Sequence, residues 1–91
     1  RVPFGALIET GWLKPGDRLF SAQRRHQARI RVDGSLTTGA ITGSIHRLGA
    51  QVQQAPACNG WTFWHAEHAG RLAPIDIFRA DVRAQMDRLS A

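Results

Sequence analysis

Apolar residues recur along the chain in two rhythms. Phe4, Leu7, Ile8, Trp12 and Leu13 repeat at the spacing of one helical face, with Pro3 early and Gly11 late, which predicts a short helix of about ten residues. Lys14-Pro15-Gly16-Asp17 is turn chemistry, and Leu19 and Phe20 open an extended segment after it. Between Arg24 and Val32 the rhythm changes to period two. His26, Ala28, Ile30 and Val32 fall on one side of a strand, and Arg25, Gln27, Arg29 and Arg31 on the other. Asp33-Gly34 turns that strand back onto residues 35–38 as a hairpin. Gly39 and Gly43 punctuate a loop around Ile41. Ser44 then stands at the N-cap position of a helix carrying Ile45, Leu48 and Val52, which Gln53, Gln54 and Pro56 close. The bulky run Trp61 to His65 reads as a strand, paired across Ala69-Gly70 with Arg71-Leu72 in a second hairpin. Ile75, Phe78, Val82, Met86 and Leu89 mark one face of a last helix, with Asp76 near its start where the dipole favours an anion. The expected fold is α+β: three short helices packed around a small twisted antiparallel sheet with two hairpins, in a single domain over residues 1–91.

Composition narrows the class. Ninety-one residues, 43% of them hydrophobic and including three Trp and four Phe, suffice for one modest core. No apolar run approaches the ~20 residues of a membrane span, and Arg1-Val2-Pro3-Phe4 lacks the charged-then-apolar pattern of a signal peptide. The single cysteine, Cys58, has no internal disulfide partner. A soluble, cytoplasmic protein with no membrane partner is expected. Twelve Lys+Arg against seven Asp+Glu give a formal charge of +5, and every cation but Lys14 is Arg, whose planar fork suits phosphate. That balance is compatible with a polyanionic partner without requiring one.

Candidate chemistry follows from position. The chain has no Gly-rich dinucleotide fingerprint, no phosphate loop, no paired carboxylates on one face and no nucleophile elbow, so no catalytic residue is assigned. Cys58, His65 and His68, with His46, lack the paired short intervals of structural zinc sites, and no metal ligand is assigned either. The Arg-rich strand is either the solvated side of a half-buried sheet or a row of guanidinium groups about 6.6 Å apart, close to the ~7 Å phosphate spacing. Ser44 caps its helix, and a cap beside His46 and the cationic Arg47 can also receive a phosphate. Asn59-Gly60 places an amide in a turn before Trp61. As a strand, 61–65 puts Trp61, Phe63 and His65 on one side and Thr62 and Trp64 on the other. Trp61 is then either exposed, able to stack on a base beside the Asn59 amide, or buried by the flanking helices. Arg79 and Asp76 are three residues apart, the spacing of a helical ion pair.

Five blocks are familiar: residues 2–9, Leu13-Lys14-Pro15-Gly16-Asp17, Gly43-Ser44-Ile45-His46, residues 55–62, and Pro74-Ile75-Asp76. They resemble the C-terminal domain of the cell-cycle-regulated adenine DNA methyltransferases of alphaproteobacteria (CcrM type), a module similar to the RAMA domain. The resemblance implies a parent that moves a methyl group from S-adenosylmethionine to the exocyclic amino group of adenine in GANTC. The catalytic work then belongs to a separate N-terminal methyltransferase domain, and this module carries no cofactor of its own. Its implied partners are DNA, duplex or locally opened, and that N-terminal domain, in a parent compatible with a homodimer. The family's DNA-contacting Ser and Trp fall on Ser44 and Trp61, with the Asn of the same motif on Asn59 and Arg79 a further contact by position. With His46, Arg47, Arg25, Arg29 and Arg31 these form the expected DNA-binding set. The competing reading is a protein-interaction module docking through an exposed Trp61 and Trp64 patch.

Overall fold

The computed structural model describes residues 2–90; Arg1, part of the N-terminal stretch that lacks a signal pattern, and Ala91 lie outside them. Among the described residues six antiparallel strands form one sheet: β1 (Arg18–Phe20), β2 (Gln27–Ile30), β3 (Leu36–Thr37), β4 (Thr42–Gly43), β5 (His65–His68) and β6 (Arg71–Pro74), in the order β4-β3-β2-β1-β5-β6. Four helices accompany it among these residues: α1 (Gly5–Glu9), α2 (Ile45–Gln53), α3 (Gly60–Phe63) and α4 (Ile77–Ser90). The class is α+β, with one helix more than the apolar rhythm indicates.

The β2 alternation holds at its centre. Ala28 and Ile30 are buried, whereas Gln27 and Arg29 are exposed. It stops short of both predicted ends. Val32, placed on the inner side by the period, is 86% exposed because the chain has already left the strand. The Arg31 N–H donates to the Ser35 carbonyl at 2.8 Å and the Gly34 N–H to the Arg31 carbonyl at 3.0 Å. That is a three-residue loop ending at a positive φ of 86° on Gly34, which needs glycine. The second predicted hairpin also stands, shifted: β5 begins at His65, and Ala69 and Gly70 form its tip. Direct pairing of β1 with β2 and of β3 with β4 adds two reversals that the sequence does not signal.

The core lies on one side of the sheet. Leu19, Ala28, Ile30 and Leu36 pack with Leu7 of α1, Ile45 and Leu48 of α2, Trp61 of α3, Trp64, Ile75 just before α4, and Phe78 and Val82 in its first half. Each fully buried Leu, Ile or Val contributes about 1.5–3 kcal/mol of transfer free energy. The α4 stripe is buried only in its first half; Met86 and Leu89 are exposed. No helix among the described residues is long and apolar enough to cross a membrane.

Candidate nucleic-acid interface

Most of the run 61–65 is not a strand: Trp61 to Phe63 are helical, and only His65 belongs to β5. Asn59 has extended backbone, and its side-chain Oδ1 accepts from the Trp61 N–H at 3.1 Å, so it caps α3. Two close approaches explain why a helix forms here despite β-favouring residues. A Cβ on Gly60 would lie 2.5 Å from the Ile45 carbonyl carbon and 2.6 Å from its oxygen; one on Gly49 would lie 2.7 Å from Cys58 Sγ. The two glycines let α3 and the segment before it press against α2. Trp64 then reaches the first turn of α2 and donates from its indole N–H to the Ile45 carbonyl at 2.9 Å. Trp64 is fully buried and Trp61 only 6% exposed. The exposed tryptophan patch is therefore absent, because the helical turn places both indoles inward.

Where the starts of these helices converge, an open groove of about 1000 Å³ forms, lined by Val2, Pro3 and Phe4, by Gly34, by Ser44, Ile45 and His46, by Ala57, Cys58 and Asn59, and by Trp61 and Arg79. Five of the nine predicted site residues meet there: Ser44, His46, Asn59, Trp61 and Arg79. Phe4 meets Trp61 edge-on at a centroid distance of 6.2 Å, and the Arg79 guanidinium lies over the indole at 4.6 Å. Trp61 thus contributes a covered wall rather than a free stacking face.

The polar side chains of the groove share one property. Ser44 Oγ accepts from the Arg47 N–H at 3.1 Å, capping α2, which leaves its O–H to donate outward. Asn59 Oδ1 is engaged by the α3 cap, which leaves its NH₂. His46 Nδ1 accepts from the Gly60 N–H at 2.9 Å, so a neutral imidazole carries its proton on Nε2. Arg79 has donors only. Each acceptor that the fold uses is turned inward, and what remains favours acceptors such as phosphate oxygens. Burial pushes the Cys58 thiol up from its ordinary value, against a smaller opposite effect of a Gln53 hydrogen bond, so it stays protonated at neutral pH.

The other four predicted residues lie elsewhere. Arg47 follows the groove on α2, its stem running past Gly43. Arg29 projects from the open side of the sheet, directly opposite Arg18 across β1 and β2, above Thr37 and Thr38. Arg25 stands near Gln53, Thr62 and His65 at the far end of α2. Arg31 belongs to the β2–β3 turn beside Asp33. The spacing argument for one row of guanidinium groups fails, since only Arg29 of the three lies within β2. Cys58, His65 and His68 do not converge either: among the described residues no three His, Cys, Asp or Glu side chains gather at metal-ligand spacing. Asp76, expected from the sequence as an anion at a helix start and an ion-pair partner, does pair with Arg79.

Fold and groove together define a small α+β domain that presents hydrogen-bond donors at the junction of its helices. The chain belongs to the family described as Restriction Enzyme Adenine Methylase Associated (RAMA), which matches residues 1–88. It is also 26% identical over 85 residues to the type II methyltransferase M.HinfI of Haemophilus influenzae, an overlap covering 93% of this chain and 24% of that protein. The chain thus spans about a quarter of the length of that methyltransferase, and it is a module of the kind that accompanies adenine methylases.

Proposed function

We propose that this chain is the DNA-binding module of a site-specific adenine DNA methyltransferase of the CcrM type. Its parent uses S-adenosylmethionine to methylate adenine in GANTC through an N-terminal catalytic domain. The observation that carries the reading is the groove in which Ser44, His46, Asn59 and Arg79 all present donors. Such a wall suits phosphate oxygens or the acceptor edges of bases. Arg47, Arg25, Arg29 and Arg31 supply a surrounding positive field and outer phosphate contacts, and Trp61 builds the wall on which Arg79 rests. The module holds duplex or locally opened DNA while the catalytic domain extrudes the target adenine, a step costing a few kcal/mol.

Titration of the chain with a fluorescent DNA duplex at several salt concentrations tests this. Affinity should fall steeply between 50 and 200 mM salt, by about 10³ if six phosphates are contacted. Ser44→Ala and Asn59→Ala, checked for folding because each removes a helix cap worth about 0.5–2 kcal/mol, should bind more weakly. Salt-independent binding, or folded variants that bind like the parent, would count against the groove.

A further inference from the structure

We infer that Asp76 is a positioning residue of the groove, fixing the Arg79 guanidinium over Trp61 so that its outer edge faces the bound DNA; this rests on the DNA reading above. Arg79 donates from Nε to Asp76 Oδ1 at 2.5 Å, and its Nη2 approaches the same oxygen at 2.5 Å. The guanidinium carbon so held lies over the Trp61 ring, 4.6 Å from its centroid. Asp76 is itself anchored to the residue that Arg79 covers: its N–H donates to the Trp61 carbonyl at 3.1 Å, next to an Ile75 N–H that donates to the Trp64 carbonyl at 3.0 Å. Ile75 is fully buried, so the support is rigid. Carboxylate, guanidinium and indole form one unit at the groove wall.

Chemistry separates this unit from an ordinary surface ion pair. Guanidinium has five N–H donors, and Asp76 engages only the Nε side, which leaves the Nη1 edge free. A free arginine must give up rotamer freedom when it grips a phosphate, whereas a held one has already done so. Both Asp76 and Arg79 are about two-fifths exposed, so the free edge is accessible. Yet a carboxylate beside a DNA-binding cation repels the polyanion. If Asp76 acted through charge alone, its neutralisation would tighten binding; if it positions Arg79, the same change weakens it. The two roles predict opposite signs.

The experiment is a salt-resolved titration of the chain with a fluorescent DNA duplex, comparing the parent with Asp76→Asn, Arg79→Lys, the double variant and Ser44→Ala. Asp76→Asn should bind about tenfold more weakly, the scale of one charge-assisted hydrogen bond, with an unchanged salt slope and only a slight fall in melting temperature, since Asn serves a helix start but lacks the charge that the dipole and Arg79 favour. Arg79→Lys keeps the charge but loses the planar fork, and should weaken binding to a similar degree. Adding Asp76→Asn to Arg79→Lys should then cost nothing further, the mark of a shared role. Equal or tighter binding by Asp76→Asn, or additive losses in the double variant, overturns the inference. Should Asp76→Asn misfold, parent-like binding by Arg79→Lys overturns it instead. Binding that Ser44→Ala weakens but Asp76→Asn does not leaves the DNA reading standing without this inference; no binding by the parent ends both.

Discussion

The groove and the open side of the sheet both present hydrogen-bond donors, and they are built on different principles. In the groove every polar side chain has a task inside the fold: Ser44 and Asn59 cap helices, His46 holds the Gly60 N–H, and Arg79 lies between Asp76 and Trp61. On the open side, Arg29 faces Arg18 across paired strands, and among the described residues neither has a carboxylate within ion-pair distance. Like charges directly opposite one another destabilise a sheet. Arg24 differs from both, folded over Phe20 at 4.8 Å with Glu67 at 3.9 Å. Internal hydrogen bonds fix the direction of a donor, which selects what can bind; unpaired arginines raise the local potential without choosing a geometry.

The largest test of this contrast is Trp61→Ala. An exposed stacking residue would lose binding alone, but this indole is part of the core, beneath Arg79 and beside Phe4. Its removal should destabilise the fold by about 3–5 kcal/mol, measured by chemical denaturation. A loss below ~1 kcal/mol would mean that the indole is not packed as described. Arg29→Gln should leave stability nearly unchanged.

The same pair of regions shows what could be read from the sequence. Ser44 was legible as a cap because a small hydroxyl residue preceded apolar positions at helical spacing, and Ala28 and Ile30 were legible because strand alternation is local. The four-residue α3 was not. It is too short to display a 3.6-residue period, and its aromatic residues favour strands when considered alone. What decides it is Gly60, whose missing Cβ admits the Ile45 backbone, a contact between positions fifteen residues apart. Asn-Gly looked like a turn because nothing in the two letters reports that neighbour. Nor does alternation say which side the helices cover, and so the sequence alone does not separate Arg29 from Ser44 although they stand in different regions.

A smaller effect separates the regions in binding. Arg29→Gln should lower the steepness of the salt dependence by about one if this arginine contacts a phosphate, with a modest and sequence-independent loss of affinity. Ser44→Ala should act the other way, costing affinity with the salt slope held, because its hydroxyl carries no charge. Measured in one series of duplex titrations, identical signatures for both variants would remove the distinction between directed donors and diffuse field.

The smallest expected effect lies where the two regions meet, in the turn that carries Arg31 on one flank and brings Gly34 to the groove. Asp33 Oδ1 accepts from Ser35 Oγ at 2.6 Å and from the Ser35 N–H at 2.9 Å. These two bonds, in that order, with a lesser contribution from Arg31, hold the Asp33 carboxyl below its ordinary value. A carboxylate with a depressed folded pKa adds stability that is present above its unfolded pKa and disappears as pH falls through the folded one. Asp33→Asn, which cannot titrate, should therefore melt slightly below the parent at neutral pH, and the two melting curves should converge under acid conditions, below the ordinary aspartate value. Ser35→Ala should move that convergence to higher pH by removing the leading hydrogen bond. Melting temperatures that stay parallel for parent and Asp33→Asn throughout the acid range would show that the carboxylate is not engaged, and that the turn linking the open sheet to the groove is held by Gly34 and its backbone bonds alone.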